Sequence, residues 1–259
     1  MLKATSMGQG TNIVIFPGGP GLSSNSIKAF DDLSTNFRII YLDYCGTNDS
    51  PNVRLTFGEL VQEISNYVQK LEGDTILLGH SYGGVLASQI AVFTDCAGLV
   101  CLGTPFTARS LNVASNNYVT NSDDALKSSL NKWSLVKSKE NFNDWLAEYK
   151  DLYFIKENIE FGKQLLRNDK SSFEFYNSNQ NDILENSSVL ANVLNWKKPK
   201  LFLAGEKDLL LTPEILEQDA EEGGFAFSVI PNAGHFLMWD NYSEVSQKIN
   251  SFINPLENI

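Results

Sequence analysis

Short apolar runs recur along the chain, each bounded by glycine, proline or polar clusters. Ile13–Phe16, Arg38–Leu42, Thr75–Leu78, Leu99–Leu102, Lys200–Leu203 and Phe225–Ile230 show no polar alternation, so each predicts a strand buried on both faces. Helical spacing appears between them. Leu60, Ile64, Tyr67, Val68 and Leu71 repeat at helical intervals behind a Thr56/Glu59 capping pattern, with Gly73 as the stop. Tyr82 to Phe93 predicts the next helix, Thr212-Pro213 opens another, and Asn241 to Phe252 predicts a last amphipathic one. This strand–helix rhythm implies an α/β fold with a mostly parallel sheet covered on both faces.

The rhythm breaks between Phe106 and Trp196. That stretch predicts helices near 122–137, 140–157, 158–168 and 183–194, a polar loop over 177–182 and no strand. Residues 107–196 also carry twelve aromatic residues. The expected division is a core formed by 1–106 and 197–259, with 107–196 inserted as a helical cap, or lid.

Charge sharpens the division. The chain holds 20 Lys+Arg against 31 Asp+Glu, a net charge of −11, which argues against nucleic acid or an anionic membrane as partner. Residues 107–198 balance at 12 and 12, so the remaining residues, with 8 and 19, carry the whole excess. An acidic body serves solubility, or it attracts a cationic substrate such as a free amine. No apolar run reaches the roughly 20 residues of a membrane span, and "MLKATSMGQG" has no signal-like apolar stretch, so a cytoplasmic protein is expected. Cys45, Cys96 and Cys101 cannot all pair and lack metal-ligand spacing, so reduced thiols are expected, with no metal and no cofactor.

The chemistry concentrates at "TILLGHSYGGVLA" (75–87). Gly79-His80-Ser81-Tyr82-Gly83 fits G-x-S-x-G between a predicted strand and a predicted helix, the context that lifts a serine hydroxyl clear on a sharp turn. Side chains two residues to either side would collide there. A serine needs a base. The chain has two histidines, and His80 should diverge from its neighbour, which leaves His235 on the loop before the last helix. The base needs a carboxylate, and Asp208 follows the strand Lys200–Leu203 with Glu206 as its nearest competitor. The order serine, acid, histidine suits this architecture. Backbone donors for an oxyanion are expected from Tyr82 and from "FPGGPG" (16–21), where Pro17 and Pro20 have no N–H and Gly19 is favoured over Gly18.

These motifs resemble the α/β-hydrolase fold. "PGGPG" and "YLDYCGTNDSP", with the closing segment from "GEKDLLLTP" to "SFI", are similar to its prolyl aminopeptidase (proline iminopeptidase) branch over 11–106 and 197–253. The resemblance implies Ser81, Asp208 and His235 as a triad, with Gly19 and Tyr82 as oxyanion donors. Members typically carry H-G-G-P-G and D-x-x-G-x-G-x-S. Here Pro17 replaces that histidine, Asn48 stands at a usual glycine, and the leading strand pair is shortened to one strand before Ile13.

An aminopeptidase must pair the substrate ammonium with carboxylates. Glu148, Glu157, Glu160 and Glu174 are the candidates in the inserted stretch, with Glu174 foremost, while Leu209 stands where some relatives have an acid. Gly18 and Leu237 are further expected substrate contacts. The resulting expectation is a serine hydrolase acting through an acyl-enzyme on a small ester, lactone, amide or short peptide. Prolyl aminopeptidase activity, a non-hydrolytic lyase on the same fold and a non-catalytic binding module remain open.

Overall fold

The computed structural model describes residues 2–256. Seven strands form one sheet: β1 (Lys3–Met7), β2 (Asn12–Phe16), β3 (Arg38–Asp43), β4 (Thr75–His80), β5 (Gly98–Leu102), β6 (Lys200–Gly205) and β7 (Ala226–Ile230). Their spatial order is β1-β3-β2-β4-β5-β6-β7. β1 runs antiparallel to β3, and every other pairing is parallel. The six predicted strands are all present, with β1 as the single strand before them.

Both faces of the sheet are covered, and alternating side chains serve the two sides. Val14, Phe16, Leu77, Leu99 and Cys101 pack toward α1 (Phe57–Val68) and α2 (Tyr82–Phe93). Ile13, Ile15, Ile76, Leu78, Val100 and Leu102 pack on the other side, beneath a 3₁₀ helix over Ser24–Thr35 that periodicity did not reveal. The capping box at α1 is complete: Thr56 N–H reaches Glu59 Oε2 at 2.9 Å and Glu59 N–H reaches Thr56 Oγ1 at 3.3 Å. That helix ends at Val68, before Leu71 and Gly73, so the predicted stop lies beyond its true end. All three cysteines are free and buried. Among the described residues no helix is long and apolar enough to cross a membrane.

Between β5 and β6 the chain forms α3 (Ala108–Asn121), α4 (Asp124–Leu135), α5 (Lys139–Ala147), α6 (Lys150–Tyr153), α7 (Ile159–Arg167), α8 (Phe173–Asn179), α9 (Asp182–Glu185) and α10 (Val189–Asn195). The pattern missed α3 and α8 and fused α5 with α6, and α9 with α10. The expected polar loop over 177–182 shrinks to Gln180 and Asn181, because Asn179 closes one helix and Asp182 opens the next. Val189, Leu190 and Val193 of α10 join the cluster that holds α2 and α11 (Pro213–Gly223), so packing runs on across 196/197. Thr212 precedes Pro213 as expected, yet its hydroxyl makes no capping bond. After β7 come α12 (Leu237–Asp240) and α13 (Tyr242–Ile253).

The parallel strands β2 to β7 end along one edge, at Phe16, Asp43, His80, Leu102, Gly205 and Ile230. Open parallel sheets bind ligands outside these carboxyl ends. Gly19, Ser81, Tyr82, Asp208 and His235 all belong to segments leaving that edge.

Candidate active site

Ser81 occupies a single-residue turn between β4 and α2, with φ 52° and ψ −124°. A non-glycine residue at positive φ carries strain that its surroundings must hold. Two bonds do so here: Ser81 N–H donates to the Leu102 carbonyl at 2.8 Å, and Gly84 N–H donates to the Ser81 carbonyl at 2.9 Å. A methyl group at Gly79 would overlap the Gly83 carbonyl, and one at Gly83 would overlap the carbonyls of Phe16 and Pro17. The flanking glycines are therefore set by backbone approaching backbone.

The loop after β6 carries Asp208, which is 3% exposed. Its Oδ1 accepts from the N–H groups of Leu210 and Leu211, both at 2.9 Å. Its Oδ2 lies 2.7 Å from His235 Nδ1. A carboxylate can only accept, so Nδ1 carries the proton and Nε2 keeps its lone pair, the tautomer a general base needs. Glu206, the rival acid, is exposed and accepts from Asn232 N–H at 2.8 Å.

Ser81 and His235 flank the end of β5. Leu102 holds the Ser81 amide, and an added methyl at the next residue, Gly103, would lie 3.2 Å from His235 Nδ1. Tyr153 links them from above: it lines the cavity that contains Ser81, and its ring stacks on His235 at 5.0 Å. His80 turns beneath the turn, where its Nε2–H donates to the His235 carbonyl at 3.0 Å. Burial, reinforced by the neighbouring His235, drives the His80 pKa well below its ordinary value. His80 is thus a neutral brace for the loop of His235.

Gly19 and Tyr82 line the same cavity of about 380 Å³ as Ser81. The Tyr82 phenol points away and donates to Asp182 at 2.6 Å. Burial pushes Asp182 up to about 6. The segment after Gly19 is fastened by two consecutive serines. Ser23 donates through N–H and Oγ to Asp169 at 2.9 and 2.7 Å, and Ser24 donates likewise to Asp43 at 2.8 and 3.0 Å. Asn48 adds a 3.0 Å bond to Asp43. Its φ of 45° explains both the usual glycine and the tolerated asparagine, since both accept left-handed geometry. Sequence reasoning passed over Asp43, Asp169 and Asp182. Asp43 lay within a quoted motif, but no local pattern marks the other two.

Three expected substrate contacts do not reach the cavity. Glu174 is exposed, receives the Ser172 hydroxyl at 3.1 Å and lines a separate small cleft beside Arg54, because the first turn of α8 carries it outward. Leu237 is fully buried at the start of α12, where it packs into the core. Gly18 lies under the turn, where an added methyl would meet His80 Nδ1 at 2.8 Å and Ser81 Cβ at 3.2 Å. The other acids fare no better. Glu148 is held by Lys150 and Lys163, each at 3.0 Å, while Glu157 and Glu160 face solvent.

Asp169 provides a pH test. Burial is the main cause that pushes it up to about 7, above the roughly 3.9 of an unfolded chain. The folded state therefore holds this proton more tightly. Its stabilisation is complete below about 3.9 and is lost as pH rises through about 7. Asp169→Asn is expected to flatten the fall in Tm across that window; an unchanged slope would contradict the assignment.

A family model described as the alpha/beta hydrolase fold matches residues 11–242. A proline iminopeptidase of Saccharolobus solfataricus is 23% identical over 281 residues, covering 96% of this chain and 86% of its own. Among solved structures, a thermophilic esterase from Thermogutta terrifontis superposes with a TM-score of 0.77 at 20% identity, covering 98% of this chain and 93% of its own. A proline iminopeptidase from Mycobacterium smegmatis gives 0.71 at 16% identity, with 98% and 95% covered.

Proposed function

The chain belongs to the α/β-hydrolase family, and from that premise we propose that it is a serine hydrolase that cleaves a small ester or amide through an acyl-enzyme. The observation that carries this is the 2.7 Å contact of Asp208 with His235 Nδ1, made while two backbone N–H groups hold the other carboxylate oxygen. In this reading that contact orients the base that serves Ser81, a serine kept in strained geometry.

In this reading Ser81 Oγ attacks the acyl carbonyl while His235 Nε2 takes its proton. Asp208 steadies the imidazolium, and the N–H groups of Gly19 and Tyr82 receive the oxyanion. His235 then protonates the leaving group, and water releases the acid by the reverse steps. Losing one oxyanion donor would cost roughly 3–4 kcal/mol of transition-state stabilisation. The helices between β5 and β6 act as the cap, supplying Trp145, Tyr149 and Tyr153 to the cavity wall.

Prolyl aminopeptidase activity is the second reading, favoured by the Saccharolobus solfataricus relative. With p-nitrophenyl butyrate, the wild type is expected to show a burst of p-nitrophenol followed by steady turnover. Ser81→Ala should keep its far-ultraviolet circular dichroism and show no burst. A burst that survives in Ser81→Ala would exclude this serine as the nucleophile.

A further inference from the structure

We infer that the site takes an uncharged acyl substrate and discriminates against one that carries an ammonium beside the scissile bond. This rests on the serine hydrolase reading and narrows it.

The wall of the Ser81 cavity carries the argument. Its cap side presents Tyr118, Trp145, Tyr149, Tyr153 and Tyr176, and its core side is mainly aliphatic, with Leu211 as an example. Among the described residues, no Asp, Glu, Lys or Arg lines it. A cation entering there would shed water and meet no counter-charge, which is costly in an apolar site.

Nearby acids cannot be recruited cheaply. Both oxygens of Asp208 are committed to His235 and to backbone N–H groups. Asp182 receives the buried Tyr82 phenol, and Glu148 is neutralised by two lysines. Glu174 opens on a different cleft.

Aromatic rings could replace a carboxylate if their electron-rich faces lined the cavity. Of the five, Trp145, Tyr149 and Tyr153 each have a face covered by a neighbouring ring. Tyr149 stacks on Tyr153 at 4.9 Å and 23°, Tyr153 on His235 at 5.0 Å and 25°, and Trp145 on Trp133 at 4.7 Å and 5°. The stack also ends on the base. A positive charge held against it would oppose the imidazolium that must form in the transition state. The net charge of −11 resides outside residues 107–198, so it can steer a cation toward the molecule without giving it a partner in the cavity.

Matched substrates test this directly. The phenyl esters of cyclopentanecarboxylic acid and of proline share ring size and leaving group, and differ by a methylene in place of the ammonium. 3,3-Dimethylbutyl acetate and acetylcholine make the same comparison on the alcohol side. The uncharged member of each pair is expected to have a kcat/KM at least about tenfold higher. Equal or faster turnover of the proline or choline ester would overturn the inference. Fluorophosphonate labelling of the same preparation separates the two claims: unlabelled protein refutes the hydrolase reading itself. Labelled protein that cleaves neither uncharged ester overturns the inference alone.

Discussion

His235→Ala is expected to lower ester turnover by about 10⁶, or roughly 8 kcal/mol of transition-state stabilisation, with the fold retained. A serine hydroxyl barely ionises near neutrality, so its attack depends on a base that can take the proton in flight. The sequence holds one other histidine. His80 is adjacent in sequence, but its Nε2–H is spent on the His235 carbonyl, and burial keeps it neutral and out of reach of solvent. The alanine variant keeps that carbonyl, so His80 stays engaged. Steady-state kinetics on a phenyl ester, with a thermal melt to confirm folding, measure the effect. A loss of tenfold or less would show that the proton goes elsewhere.

Asp208→Asn should cost about 10⁴ in kcat, or roughly 5.5 kcal/mol, by a different route. The Leu210 and Leu211 amides both donate to one oxygen of residue 208, so an asparagine must place its carbonyl oxygen there. Its NH₂ then faces His235 Nδ1. Nδ1 has to accept, the proton moves to Nε2, and the base presents a proton where a lone pair is required. The variant should keep substrate binding and lose rate, so KM changes little while kcat falls. Loss of the downfield Nδ1 proton resonance would confirm the tautomer. Glu206→Gln is the matched control and should leave kcat within a factor of about two, since surface changes remote from the chemistry have small effects. A collapse in that control with a near-normal Asp208→Asn would assign the acid to the wrong residue.

What was legible in the sequence followed from short-range rules. Continuous apolar runs mark strands covered on both faces, and all six such runs became strands. The elbow was readable because steric closure at Gly79 and Gly83 demands glycine at fixed spacing from Ser81. The contact between Asp208 and His235 was readable because so few alternatives exist at the right strand ends.

The cap was read poorly for a physical reason. Its helices are mostly polar, several are short, and they are held by contacts from distant segments, so periodicity under-determines their limits. Asp182 illustrates this: it looked like part of a polar loop, yet a bond from Tyr82 anchors it at the start of α9. Asp169 is similar, a charged residue in a polar run whose partner Ser23 lies 146 positions away. Glu174 fails in the opposite direction. Flanking aromatics suggested a pocket, but neighbours along a helix point to different faces, and Phe175 is buried while Glu174 is exposed.

The central claim is that His235 activates Ser81. Fluorophosphonate labelling with peptide mass mapping tests it most directly, on wild type and His235→Ala in parallel. One adduct is expected, on Ser81, formed rapidly in the wild type and scarcely at all in the variant. An adduct on another residue, or equal labelling rates in the two proteins, would contradict it.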